Sequence, residues 1–196
     1  MKLYNSIGPN PQVVRMFLAE LGQELEIIEV DLMAGENRNP SGQMPTLELD
    51  DGSYLAEITA ICEYLDEKNG GTDLMGKTPE ERAETRMWTR RIDLQIVEPM
   101  TTGFRYAEGL ELFKTRMQTF PDAADGFKSI AQEKCSWLNE QMEGKEFICG
   151  DRFSLADVML FCFLNFGATV GQAISEDCTN LVAWFERVKA RPSSSA

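Results

Sequence analysis

The sequence predicts an α/β amino-terminal domain followed by an all-α helical-bundle domain, and three observations carry that reading. Over positions 1 to about 68, short β-branched runs alternate with apolar residues at helical spacing. From about residue 80 onward the apolar residues recur at helical spacing in segment after segment, separated by Gly, Pro and Asp. The chain has 196 residues, 43% of them hydrophobic, which is enough to bury a sizeable core in one large or two small domains.

Met1 to Asn5 is a short strand candidate, and Ser6-Ile7-Gly8-Pro9 is turn chemistry. Val13, Val14, Phe17, Leu18 and Leu21 then follow a helical period that Gly22 ends. Leu25 to Leu32 is rich in β-branched residues and reads as a second strand, parallel to the first because a helix intervenes. After a polar stretch from Ala34 to Gly42, Met44 to Leu49 reads as a strand that begins beside a proline. Asp51-Gly52 signals a hairpin into Ser53-Tyr54-Leu55. From Thr59 the residues Ala60, Ile61, Tyr64 and Leu65 mark a helix that stops at Asn69-Gly70-Gly71. The order β-α-β, loop, β-β-α with a proline at the mouth of the third strand is the layout of a thioredoxin-like domain.

Residues 69 to 79 read as a linker. A helical pattern runs from Glu80 to about Gly103, interrupted at Pro99, and continues from Phe104 to Phe120. Ala131, Cys135, Leu138 and Met142 form one face of the next helix, which Gly144 ends. Ser154 and Asp157 form a capping box in front of an apolar segment, with Phe153 at the staple position, and Leu181 to Lys189 is a closing helix.

Composition narrows the chemistry. With 19 basic and 32 acidic residues the net charge is −13, which repels phosphate backbones and anionic lipid surfaces, so neither nucleic acid nor membrane is an expected partner. No run approaches the ~18 apolar residues of a membrane span. The absence of histidine excludes Ser-His-Asp and Cys-His nucleophile pairs and imidazole-ligated zinc. Five cysteines, an odd number with no C-x-x-C spacing, fit neither a disulfide framework nor a zinc cluster. A reducing, cytoplasmic location, no secretory signal and no metal are therefore expected.

The most informative segment is Asn39-Pro40-Ser41-Gly42-Gln43-Met44-Pro45-Thr46-Leu47, followed by Asp50-Asp51-Gly52, Leu55, Glu57 and Thr59 to Leu65. Taken alone, Met44-Pro45-Thr46 fits the start of an edge strand as well as a cis-proline junction. The whole pattern resembles the glutathione site of the glutathione S-transferase family. The resemblance implies a cis Met44-Pro45 bond, with the Met44 main chain pairing with the cysteinyl unit of glutathione. It also implies that the helix start at Glu57 and Ile58 receives the γ-glutamyl carboxylate on main-chain amides. Family members usually place Ser or Thr at the position of Ile58, so the amide is kept and a hydroxyl donor is lost, and Thr59 points elsewhere by one residue's rotation. Without the resemblance, Glu57 is an ordinary solvated residue before a helix. Arg38 and Gln43 are the candidate donors for the glycyl end, with Arg15 a further local cation. Only about ten polar residues separate Leu32 from Met44, where the resemblance would place an additional short helix.

The turn after the first strand sets the mechanism. Asn10 is a favoured helix cap and Pro11 a favoured first helical residue, which would present a positive helix end to a thiolate. In the resembling family the thiol's donor is Tyr, Ser, Cys or Asn near this turn; here Ser6 is the first candidate and Asn10 the second, although each also fits an ordinary turn or cap role. Trp88, Met100, Phe104, Arg105 and Tyr106 lie on helices that wall the family's electrophile pocket, and equally suit a helical core. The resemblance thus implies a thioredoxin-like, glutathione-binding domain over residues 1–75 and a helical domain over 80–196. It implies a cytoplasmic homodimer that conjugates glutathione, as co-substrate, to small hydrophobic electrophiles in detoxification. A non-catalytic, transferase-like binding or regulatory scaffold, and a glutathione-dependent isomerase or peroxidase, remain the alternatives.

Overall fold

The computed structural model describes residues 1–31 and 39–196. Its amino-terminal part is a four-stranded mixed sheet in the order β2-β1-β3-β4, formed by β1 (Lys2–Asn5), β2 (Glu26–Glu29), β3 (Thr46–Glu48) and β4 (Tyr54–Ala56). β1 runs parallel to β2 and antiparallel to β3, and β3 and β4 form the expected hairpin. Leu3 and Leu47, paired across β1 and β3, are fully buried and anchor the face that packs on the helices. The second strand is shorter than the pattern Leu25 to Leu32 implies: ladder pairing ends at Glu29, Asn5 O still accepts from Val30 N at 2.8 Å, and Leu32 lies outside the described residues.

Helix α1 (Pro9–Leu21) buries Val13, Val14, Met16, Phe17 and Leu18 and ends on Gly22, whose φ of 63° is the left-handed cap that glycine adopts at little cost. Helix α2 (Ile58–Lys68) packs beside it. The sheet-bearing part is tied to the helical part by Asp66, a fully buried carboxylate. It accepts from Thr72 N at 2.8 Å, Thr72 Oγ1 at 2.6 Å and Arg82 Nη1 at 3.3 Å, so the α2 end, the linker and the next helix share one anion. A second tie joins distant parts of the chain: Arg191 grips Glu20 bidentately at 2.8 and 2.7 Å. Burial pushes the Glu20 carboxyl up, but Arg191 and the Ser193 hydroxyl outweigh it and hold the group below its usual value.

The helical part comprises α3 (Pro79–Ile92), α4 (Glu98–Tyr106), α5 (Leu110–Phe113), α6 (Ala124–Gln141), α7 (Leu155–Thr169) and α8 (Thr179–Lys189). Thr78, assigned from the sequence to the linker, caps α3 in a box with Glu81: Thr78 Oγ1 accepts from Glu81 N at 3.2 Å, and Glu81 Oε2 accepts from Thr78 N at 3.1 Å. The helical pattern from Glu80 to Gly103, expected to be interrupted at Pro99, is α3 and α4 joined by a π-helical turn at Asp93–Val97, so the irregularity falls just ahead of the proline. Pro99 has no N–H, and its ring crowds the carbonyl four residues back, so a widened turn accommodates it.

Helix α7 is apolar on every side and sits at the centre, with Leu155 to Leu164 all buried. Its start shows why a capping box is legible. Ser154 N and Ser154 Oγ each donate to Asp157 Oδ2 at 2.9 Å, and the other oxygen, Oδ1, accepts from Ile148 N at 2.9 Å and Trp184 Nε1 at 2.8 Å. Burial pushes the Asp157 carboxyl up, and these donors pull it back. One buried carboxylate therefore fastens the 147–150 turn, α7 and α8 together. All five cysteines are free and buried; burial pushes the Cys135 and Cys162 thiols up to about 12. Among the described residues no helix is long and apolar enough to cross a membrane.

Candidate functional site

The strand-turn-helix at the amino terminus forms one edge of the site. Asn5 closes β1, Ser6 is buried beneath the turn, and α1 starts at Pro9 with Gly8 as its cap at φ 118°. This corrects the expectation that Asn10 caps the helix and Pro11 opens it. The segment Gly8-Pro9-Asn10-Pro11 contains two cap-proline pairs, and the earlier is used because only glycine accepts that backbone angle without strain. Pro9 and Pro11 both lack an N–H, and Gln12 N donates back to Gly8 O at 3.4 Å, so among the first four residues Asn10 holds the main-chain donor left for a ligand. Ser6 Oγ donates only a long 3.4 Å bond to Ile7 O.

The opposite edge is the proline junction. The Met44-Pro45 bond is cis, and Asn39 holds the loop ahead of it, its Nδ2 donating to Gln43 O at 3.0 Å while its Oδ1 accepts from Ser41 N at 3.1 Å. Next to it, Glu57 precedes α2 with φ 71° and ψ 118°, the one non-glycine residue at positive φ among the described residues. Such a conformation costs on the order of 1–3 kcal/mol and persists only where the surroundings impose it. Its side chain does not cap α2, so the amides of the first turn are left for another acceptor.

Asn10, Gln43, Met44, Pro45, Glu57 and Ile58 surround a single cleft of about 300 Å³. Thr59, expected to point elsewhere, lines it too. Of the remaining expected donors, Arg38 lies outside the described residues. Arg15 turns away from the cleft and donates to Asn5 Oδ1 at 2.6 Å. The far wall comes from the helical part and includes Asp93, Glu98, Thr101 and Arg105. Asp93 and Glu98 are absent from the sequence reading; they are carboxylates in an acidic chain, and no local pattern distinguishes them. Burial raises the Asp93 carboxyl, Arg90 lowers it, and Glu98 and Glu57 push it up further, which marks a crowded negative corner.

Ser6 does not line this cleft. It borders a recess of about 80 Å³ together with Asn10, Met44 and Arg105, and also an apolar cavity of about 490 Å³. That cavity is walled by Phe104, Leu112, Phe113 and Phe166, with Phe104 edge-on to Phe166 at 4.9 Å and to Phe113 at 6.0 Å between ring centres. Gly109 keeps Phe104 in place, since a Cβ there would stand 2.8 Å from its ring. Of the five helical residues weighed as pocket walls, Phe104 and Arg105 line cavities. Trp88 and Met100 belong to the core, and Tyr106 packs on Phe120 and Phe127.

Residues 7–68 match the family model described as glutathione S-transferase, N-terminal domain, and residues 125–192 the model for the C-terminal domain. Glutathione S-transferase 2 of Saccharomyces cerevisiae is 33% identical, the alignment covering 95% of this chain and 84% of that protein. GstA of Escherichia coli O157:H7 is 28% identical over 98% of the chain and 94% of its own length. Among solved structures, a glutathione S-transferase domain-containing protein of Marinobacter aquaeolei superposes with a TM-score of 0.90 at 36% identity, covering 99% of this chain and 100% of that one. The yeast Gtt2 structure superposes with a TM-score of 0.89 at 31% identity, covering 100% and 99%.

Proposed function

Because the chain belongs to the glutathione S-transferase family, we propose that it conjugates the glutathione thiolate to small hydrophobic electrophiles. The observation that carries this reading is the convergence on one cleft of a cis Met44-Pro45 junction and the uncapped, strained start of α2 at Glu57. Main-chain amides of Ile58 and Thr59 receive the γ-glutamyl carboxylate at a positive helix end. The negative corner of Glu57, Asp93 and Glu98 receives the ammonium of the same unit. Gln43 serves the glycyl end, and the cysteinyl unit lies along Met44 with its sulfur toward Ser6 and Asn10.

The apolar cavity beside Ser6 then holds the electrophile next to the sulfur. The sulfur's electron pair forms the new C–S bond while the leaving group departs with its own bonding pair. The protein contributes proximity and a nucleophile already ionised. Replacing Ser6 by Ala is expected to lower turnover of 1-chloro-2,4-dinitrobenzene by about tenfold or more, the scale of one activating hydrogen bond. An unchanged rate passes the role to Asn10. The proposal places the protein in the cytoplasm as a homodimer, consistent with Met87 and Leu94 standing exposed on α3 and the turn after it; light scattering that finds only monomer counts against the dimer.

One observation favours a second reading, a non-catalytic scaffold that keeps the fold as a binding or regulatory module. Ile58 lines the cleft where a hydroxyl donor would strengthen carboxylate binding. Failure to bind immobilised glutathione, with no thermal shift at saturating glutathione, selects the scaffold over the enzyme.

A further inference from the structure

In a chain of net charge −13, two guanidinium groups converge on one ring: Arg105 stands 5.8 Å and Arg116 5.4 Å from the centre of Phe113. Like charges gather in this way at a cost unless an anion joins them. Neither cation is strongly neutralised by its surroundings. Arg105 Nη1 is 3.7 Å from Glu98 Oε1, a loose contact, and Arg116 Nη2 donates at 3.4 Å to the carbonyl of Gly42, two residues before Met44. Both arginines line the 80 Å³ recess that Ser6, Asn10 and Met44 complete, a space suited to a sulfur and its methylene and too small for a peptide. Arg105 also lines the larger cleft, as Asn10, Gln43 and Met44 do.

We propose that Arg105 is a catalytic residue that contacts the reacting sulfur of glutathione as its charge partner, with Arg116 positioned behind it to reinforce the local positive field. The proposal rests on the glutathione reading above. It answers a deficit in the turn chemistry: α1 offers one free main-chain donor because Pro9 and Pro11 have none, and the Ser6 hydroxyl is a single neutral donor. An opposite charge within ~4–6 Å favours an ionised group by roughly 1–3 pH units, more than one neutral hydrogen bond supplies. The Arg105 guanidinium stands over the Phe113 ring, and both side chains line the recess.

The test is a pH titration of the ultraviolet thiolate band of glutathione bound at saturation, alongside calorimetric affinity for glutathione. Arg105→Gln should move the midpoint up by about one unit or more, roughly a tenfold loss of thiolate at fixed pH, with affinity changed little when it is measured below the midpoint, where glutathione binds as the thiol. Arg105→Lys should recover most of the shift, and Arg116→Gln should give a smaller displacement in the same direction. Lys189→Gln, which removes the same charge from exposed α8 and lines none of these cavities, should leave the midpoint in place. An unmoved midpoint in Arg105→Gln with weakened affinity overturns the proposal, because the guanidinium would then hold a carboxylate and not the sulfur. A midpoint that moves as far in Lys189→Gln overturns it as well, since net charge alone would be acting. Absence of glutathione binding in the unsubstituted protein overturns the glutathione reading itself, and this proposal with it.

Discussion

Replacing Asp157 by Ala removes the acceptor for four donors at once, and the structure allows the loss to be sized. Ile148 N–H and Trp184 Nε1–H, at 2.9 and 2.8 Å, and Ser154 N–H at 2.9 Å would be left buried without a partner. The Ser154 hydroxyl alone has an alternative, Cys149 Sγ at 3.5 Å. Each orphaned donor costs about 1–3 kcal/mol, but removing a fully buried charge relieves desolvation, and water entering the space left behind recovers part of the rest. The net expected loss is about 3–5 kcal/mol, a large share of the ~5–15 kcal/mol that holds a folded domain together. For a chain of this size that lowers Tm by about 6–20 °C. Asp157→Asn keeps one acceptor oxygen for Ile148 and Trp184 while turning an NH₂ toward Ser154, so its loss should be smaller, about 1–2 kcal/mol. Urea titration followed by tryptophan fluorescence and circular dichroism measures both. A loss below about 1 kcal/mol for the alanine variant would refute the view that this carboxylate fastens three segments.

Three further outcomes are expected. The buried cysteines should ignore a thiol-reactive dye at pH 8 in the native protein and all five should react once it is unfolded; rapid labelling of native protein would contradict the burial of these thiols. Cys135 and Cys162 are raised from 9.0 to about 12, so their contribution is complete below pH 9 and fades as pH rises toward 12, because the unfolded chain loses those protons first. Stability should therefore fall from pH 9 to 11, and exchanging both for Ala should lessen that slope, with the buried Cys62 thiol, also raised by burial, accounting for part of what remains. Ile58→Ser should tighten glutathione binding by about tenfold, the scale of one hydrogen bond to a carboxylate, and calorimetry that finds weaker binding would show that the apolar contact of Ile58 matters more.

Much of this architecture is legible in the sequence because the signals are local. The strand-turn-helix around Ser6 to Leu21, the hairpin at Asp51-Gly52 and the Ser154-Asp157 box each depend on residues within one or two turns of one another. Sequence alone misplaces the cap of α1 by two residues because Gly8-Pro9 and Asn10-Pro11 carry the same local signal, and only the backbone angle at Gly8 distinguishes them. The far wall of the cleft is legible only in part. Arg105 is reached through the family resemblance, but Asp93 and Glu98 come to the cleft through a π-helical turn and a helix-helix contact, and neither leaves a periodic trace in the sequence. Trp184 reaches Asp157 across 27 residues, a pairing that only tertiary packing defines.

A crystal structure of the protein grown with reduced glutathione tests the central claim most directly. The tripeptide should lie in the cleft between Pro45 and the start of α2, its γ-glutamyl carboxylate on the amides of Ile58 and Thr59 and its sulfur in the recess beside Ser6, Asn10 and Arg105. Glutathione bound elsewhere, or seated in the cleft with its sulfur away from that recess, would contradict the account.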